Sequence, residues 1–185
     1  MSEEKSQAEV LKEKLTYNAK NAWEQGKNEI SEAFDLCELY KEYLDKGKTE
    51  REFAATVEKE LVKNGFENLQ NLMDQRKKLN KGDKVYYINK HKAVACAIIG
   101  EKPIADGINM VGAHIDSPRL DIKQNPLYED SGLVLLKTHY YGGIKKYQWV
   151  AIPYSLHGVV VKADGSKVEI SIGEGENDPV FTITD

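Results

Sequence analysis

The chain has 185 residues, with 26 Lys and Arg against 30 Asp and Glu, a net charge of -4. Hydrophobic residues make up 41% and charged residues 30%, a balance that excludes the disordered and fibrous classes. The slight acidic surplus argues against a dedicated nucleic-acid or anionic-membrane binder, because both need a basic field on at least one face.

Residues 1–30 hold no continuous apolar stretch, so no secretory signal is expected there. Up to Asn80 the chain is charged, helix-periodic and free of proline. Ser6 to Gln25 is rich in Lys, Glu, Ala and Leu, which favour helix. From Ile30, apolar residues recur at Phe34, Cys37, Tyr40 and Leu44, one stripe at helical spacing, and Gly47 is expected to end that helix. Thr49 and Glu52 then form a T-x-x-E capping box. Phe53, Val57 and Leu61 are the expected buried face of the helix it opens, with Gly65 as its C-terminal stop.

After Gly82 the pattern turns to short β-rich runs. Lys84 to Asn89 and Lys92 to Ile99 read as antiparallel neighbours joined at Asn89-Lys90-His91. The apolar run Ala93 to Ile99 is far too short to cross a bilayer and predicts a buried strand. Cys37 and Cys96 both sit among apolar residues without a framework spacing, so they are expected to be buried thiols in a reducing, cytoplasmic setting, with a single disulfide as the less favoured alternative. Glu101 to Gly107 is a turn-rich connection, and Ile108 to Ala113 predicts another buried strand. From Gly132 onward every segment reads as strand: GLVLLKTHYY, QWVAIPYSLHGVVVK, KVEISI and VFTIT. Asp164-Gly165 is a hairpin signal, since that pair tolerates the positive φ of a tight turn. Helices, then a mixed sheet, then a strand-only tail suggest an α/β domain interrupted by an all-β one.

The stretch that carries chemistry runs from Met110 to Pro118, Met-Val-Gly-Ala-His-Ile-Asp-Ser-Pro. An apolar strand leading into His114 would place Asp116 on the same face, because residues i and i+2 of a strand project together. Pro118 cannot donate to a ladder, so the pair is expected at the strand's carboxyl edge, where open α/β sheets bind ligands. A histidine there can ligate zinc, and a nearby carboxylate can orient it. On spacing alone, a histidine closing a buried strand is more often a hydrogen-bonded structural residue, and the pair stays open between the two roles.

The block AHIDSPRLDIKQNPLYEDSGLVLLKTHYYGGIKKYQWV resembles the aspartyl aminopeptidase / vacuolar aminopeptidase I family of zinc metallopeptidases, in particular its bacterial branch. The likeness extends from the upstream NMVGA through Tyr141-Gly142-Gly143 to Trp149, and the YYINKHKAVACAIIG segment and the helices before it stand where the family places its own. The resemblance implies that His114 is a ligand of a two-zinc centre and Asp116 an active-site carboxylate supporting it. It implies the N-terminal part of an α/β zinc-peptidase catalytic domain (phosphorylase/hydrolase-like) over residues 1–124. Residues 125–185 would begin an inserted all-β assembly domain. Peptides with a free N-terminus are the implied substrates, and a large homo-oligomer, commonly a dodecamer, the implied assembly. Full members are more than twice this length, and their remaining zinc ligands and general-base glutamate fall beyond position 185. The resemblance therefore implies an N-terminal fragment that is incomplete for catalysis.

Other residues read more plainly. His91, His139 and His157 lack a carboxylate at the spacing of His114 and Asp116 and are expected to be surface or hydrogen-bonded. Asp121, Glu129 and Asp130 read as solvated acids near a turn. Lys145 and Lys146 among Tyr140, Tyr141, Tyr147 and Trp149 read as a subunit-contact strand, because the net charge supplies no basic field for stacked bases. No phosphate-binding glycine loop and no G-x-S-x-G element is present. Two other functions compete with the peptidase: a non-catalytic assembly or regulatory module derived from it, and a related zinc deacylase or carboxypeptidase.

Overall fold

The computed structural model of the chain describes residues 6–17, 19, 21–24 and 26–183. Two compact units divide it, Met1–Glu42 and Tyr43–Asp185. In the first, helix α1 spans Gln7–Leu15 behind a capping box, in which the Ser6 hydroxyl accepts from the Glu9 amide and the Glu9 carboxylate accepts from the Ser6 amide. It is shorter than the predicted helical stretch, and a 3-10 turn follows at Ala22–Glu24; residues 18, 20 and 25 of that stretch lie outside the described residues. Helix α2 spans Lys27–Lys46 and stops before Gly47 as expected. Its apolar stripe is present but uncovered. Phe34, Tyr40 and Leu44 are exposed, and the expected buried thiol of Cys37 is exposed and free. Periodicity marks the face a helix offers to a partner, while burial requires that partner to be there.

The second unit contains the core. Helix α3, Glu50–Lys63, opens where the capping box predicts: the Thr49 hydroxyl accepts from the Glu52 amide at 3.3 Å, and the Glu52 carboxylate accepts from the Thr49 amide at 2.9 Å. Gly65, at φ +81°, takes the left-handed conformation that closes the helix. Strand β1 (Glu67–Asn68) and helix α4 (Leu69–Asp74) follow, with the Asn68 side chain capping α4. Strands β2 (Lys84–Asn89) and β3 (Ala93–Ile98) form the predicted antiparallel pair, Lys84 opposite Ile98 and Asn89 opposite Ala93. Lys90 and His91 both adopt positive φ in the turn between them, the geometry that matches the strands' twist. The sheet order is β1-β2-β3, with β1 parallel to β2.

Ala54 of α3, Leu72 of α4, and Val85 and Tyr86 of β2 are the buried apolar residues among the described ones. Consecutive strand residues point to opposite faces, so burial of both Val85 and Tyr86 means that β2 is covered on both sides. The expected face of α3 is corrected in degree: Phe53, Val57 and Leu61 are half-buried, and the small Ala54 is the residue of the helix that is buried. The predicted burial of β3 is overturned. Of its six residues only Val94 is even half-buried, and Cys96 is exposed and free. No strand among the described residues pairs with its outer edge, and α3 reaches it only in part, so most of its side chains stay in water.

Residues 107–118, expected to include the buried strand of Ile108 to Ala113, form no strand. Ile108 and Met110 are exposed and Val111 is 99% exposed. A strand exists only where a neighbour accepts its ladder, and no described strand lies against this segment.

Strand β4, Arg119–Asp130, has no counterpart in the sequence reading; it pairs antiparallel with β5, Leu133–Tyr141. The register shifts between Ile122 and Leu127, a break that accommodates Pro126, since a residue without an N–H is tolerated at such an irregularity. A domain division at residues 124/125 would fall inside this shift. The predicted run QWVAIPYSLHGVVVK is a regular strand only from Leu156, and its first residues, Gln148 and Trp149, instead end a short helix, α5, Lys146–Trp149. Lys145 O accepts from the amides of Gln148 and Trp149, closing a helical turn before any ladder can form. Strands β6 (Leu156–Val161) and β7 (Lys167–Ile172) form the expected hairpin, with Gly165 at φ +81° in its turn. Among the described residues the VFTIT segment contributes only the isolated bridge of Phe181 to Tyr154; its last residue, 184, lies outside them, as does residue 185.

Candidate active site

The structure brings His114 and Asp116 together by a route the sequence did not suggest. With no ladder through the segment, the pair is held by local hydrogen bonds. His114 Nδ1 lies 3.0 Å from the Asp116 backbone oxygen and 3.0 Å from Asp116 Oδ1. A carbonyl and a carboxylate can only accept, so Nδ1 carries the proton and donates to both. In the neutral ring this leaves Nε2 with its lone pair free, on a side chain that is 82% exposed.

The second carboxylate oxygen has a partner as well. The Tyr141 hydroxyl donates to Asp116 Oδ2 at 3.0 Å. The Asp116 carboxyl is held below its usual range, first by this phenol, then by backbone and by His114, so it stays ionised through neutral pH. The same bond pushes the Tyr141 phenol up.

Tyr141 closes β5 directly opposite Arg119, the first residue of β4. The Arg119 guanidinium lies 4.1 Å from the centre of the Tyr141 ring, within the range of a cation–π contact. Arg119 Nε donates to Asp121 at 2.7 Å, and Nη1 donates to Glu50, in the first turn of α3, at 3.0 Å. Asp121 is thus an ion-pair partner rather than a solvated turn acid. Glu129 and Asp130 end β4 and are exposed as expected, with Glu129 accepting from the Gly132 amide. Glu50, Arg119 and Tyr141 were not singled out as site residues in the sequence reading. The Tyr-Gly-Gly element marks Tyr141, but only pairing of β4 with β5 brings its hydroxyl to Asp116.

The other histidines follow their plain readings. His91 is in the turn, and His139 is exposed with Nδ1 near Tyr140 O. His157 is nearly buried, its side chain 10% exposed. It joins Glu52 at 2.8 Å, Ser155 at 3.0 Å and Glu174 at 3.0 Å, fastening the start of α3 to the β6–β7 hairpin. Ser155 and then His157 hold the Glu174 carboxyl below its usual range.

Zinc fits this donor set as one corner of a site. An imidazole fixed through Nδ1 by a carboxylate, with Nε2 outward, is the arrangement that metal-ligating histidines adopt. No group of three or more His, Cys, Asp or Glu among the described residues converges on a metal-sized space, and zinc sites take three or four protein ligands.

Comparison with known proteins places these residues in a family. The sequence profile described as "Aminopeptidase I zinc metalloprotease (M18)" matches residues 43–185. A probable M18 family aminopeptidase 1 from Clostridium acetobutylicum is 47% identical over 167 residues, 90% of this chain and 36% of the relative. One from Borreliella afzelii is 48% identical over 169 residues, 89% of this chain and 35% of the relative. The crystal structure of aminopeptidase I from Borrelia burgdorferi B31 superposes with a TM-score of 0.80 at 47% identity, over 90% of this chain and 40% of that one. The M18 aminopeptidase of Thermotoga maritima gives 0.78 at 44% identity, over 92% of this chain and 36% of that one. The chain thus spans little more than a third of these curated relatives. On this profile and these identities, the chain belongs to the aminopeptidase I zinc metalloprotease (M18) family.

Proposed function

We propose that this chain is the N-terminal portion of a zinc-dependent aminopeptidase that removes N-terminal residues from peptides. His114 is a zinc ligand through Nε2, and Asp116 is the carboxylate that supports it. One observation carries the reading: Nδ1 of His114 is committed to Asp116, so the ring presents a bare Nε2 outward. Membership of a zinc metalloprotease family supports the choice of metal.

Zinc, when bound, polarises a scissile carbonyl and lowers the pKa of its water towards neutrality. The residues of this chain prepare for that chemistry. Asp116 accepts the Nδ1 proton, fixes the tautomer and raises the basicity of the ligating nitrogen. The depressed pKa of Asp116 keeps it an acceptor at neutral pH. The remaining ligands and the general base come from polypeptide beyond these residues, and assembly into a homo-oligomer accompanies them.

The test joins these 185 residues to the remaining part of the Clostridium acetobutylicum relative and measures bound zinc and hydrolysis of peptides with free and blocked N-termini. Hydrolysis restricted to free N-termini is expected. Asp116→Asn is expected to lower zinc affinity or activity by about 10–100-fold, the usual cost of losing such a support, and His114→Ala by more. Normal zinc content and turnover in His114→Ala would refute the ligand assignment. A second reading, a non-catalytic module, draws on the uncovered apolar residues of β3 and of residues 107–118, which suit a surface that binds another polypeptide. A joined protein that assembles but hydrolyses no peptide would favour it.

A further inference from the structure

We propose that Tyr141 is a positioning residue of the site, acting on His114 through Asp116. The proposal rests on the reading of His114 as a zinc ligand for its purpose, and on geometry alone for its existence. Asp116 sits in a segment without a ladder, and nothing in the regular structure of residues 107–118 fixes its carboxylate. A carboxylate held by one bond can rotate about χ2 and leave the imidazole with only the Asp116 backbone oxygen as acceptor. Two bonds on opposite oxygens remove that freedom: Oδ1 accepts from His114 at 3.0 Å and Oδ2 accepts from Tyr141 at 3.0 Å.

Tyr141 can serve as the anchor because it is itself in regular structure. It is the last residue of β5 and sits across the ladder from Arg119. The guanidinium of Arg119 covers its ring at 4.1 Å and is tied in turn to Asp121 and to Glu50 of α3. Orientation therefore passes from α3 and the β4–β5 pair, through one phenol, to a segment that has no ladder of its own. The pairing also explains a use for the Tyr of the Tyr-Gly-Gly element: a phenylalanine there would keep the ring and its contact with Arg119, but leave Oδ2 without this donor.

The experiment reads the His114 tautomer in the 185-residue chain by long-range proton–nitrogen NMR correlation, at a pH where the ring is neutral. In the unaltered chain, Nδ1 is expected to carry the proton and Nε2 to give the signal of a bare nitrogen. Tyr141→Phe is expected to weaken this preference and shift the pattern towards that of the exposed turn histidine, His91, with the Asp116 backbone oxygen as the remaining fixed acceptor, while Tyr140→Phe retains it. A Tyr141→Phe chain with the unaltered His114 pattern would overturn the proposal, as would a mixed tautomer in the unaltered chain. If Tyr141→Phe opens the β4–β5 pair, the reverse measurement decides: Asp116→Asn should let Tyr141 ionise at lower pH than in the unaltered chain, and an unchanged Tyr141 titration overturns the proposal. None of these readings involves zinc, so the loss of the ligand assignment in the joined polypeptide is a separate result.

Discussion

Two parts of the second unit are built from similar apolar patterns and end in different physical states. Around β2, helices α3 and α4 complete a small core of Ala54, Leu72, Val85 and Tyr86. In the β4–β5 pair, Leu133 and Val134 open an apolar run on a strand of nine residues, yet both are exposed. The difference is cover. A sheet face becomes interior only when another layer stands on it, and β2 has such layers where the hairpin has none among the described residues. The site lies between these two conditions: its own segment has no ladder, and its order is borrowed from α3 and the hairpin through hydrogen bonds.

The largest expected effect tests the covered part directly. Leu72→Ala should cost about 2–5 kcal/mol, the range for emptying a buried leucine site, read as a shift in the urea midpoint. Val134→Ala, in the uncovered part, should stay within about 0.5 kcal/mol. Equal costs at the two positions would break the comparison.

A smaller effect tests how α3 begins. Thr49→Ala removes the hydroxyl that accepts from the Glu52 amide and should cost about 1 kcal/mol. The change should spread: Glu52 also holds His157 at 2.8 Å, so loosening the cap should raise amide exchange in β6 as well as at the start of α3. Exchange confined to α3 would show that the hairpin is held independently.

The smallest effect concerns the turn after β7. Asp178 Oδ2 accepts from the amides of Gly173, Glu174 and Gly175, and these bonds, that of Gly175 foremost, hold its carboxyl below the ordinary value of 3.8. A folded pKa below the unfolded one means that the contribution is fully present above that ordinary value. It is lost as pH falls through the folded value. The amide shifts of Gly173 and Gly175 should therefore titrate with a midpoint below 3.8. A midpoint above 3.8 would remove the turn from this account.

Much of the local structure was legible in residues. The capping box at Thr49 and Glu52, the stop at Gly65 and the turns at Lys90-His91 and Asp164-Gly165 all depend on groups within a few positions of one another. The sequence reading passed over β4 altogether: the strand runs through Pro126, and the register shift that accommodates the proline is a property of the pair. Apolar runs misled it at β3 and at residues 108–113, where hydrophobicity states what a segment can bury and not whether a partner is present. At the site, the sequence pointed to His114 and Asp116 by spacing and by resemblance, but placed them on a strand that did not form. Tyr141, Arg119 and Glu50 escaped because their separations from Asp116 along the chain are closed only by folding.

By itself the sequence determined where helices start and stop, where hairpins turn, and which family the chain resembles, since each follows from neighbouring side chains or from a run of identities. Only the tertiary structure decided which apolar faces are interior, that β4 pairs with β5 across a shifted register, and that one phenol reaches the carboxylate beside His114. Those outcomes depend on distances between residues far apart in the chain, and a linear pattern carries no such distances until the backbone hydrogen bonds are made.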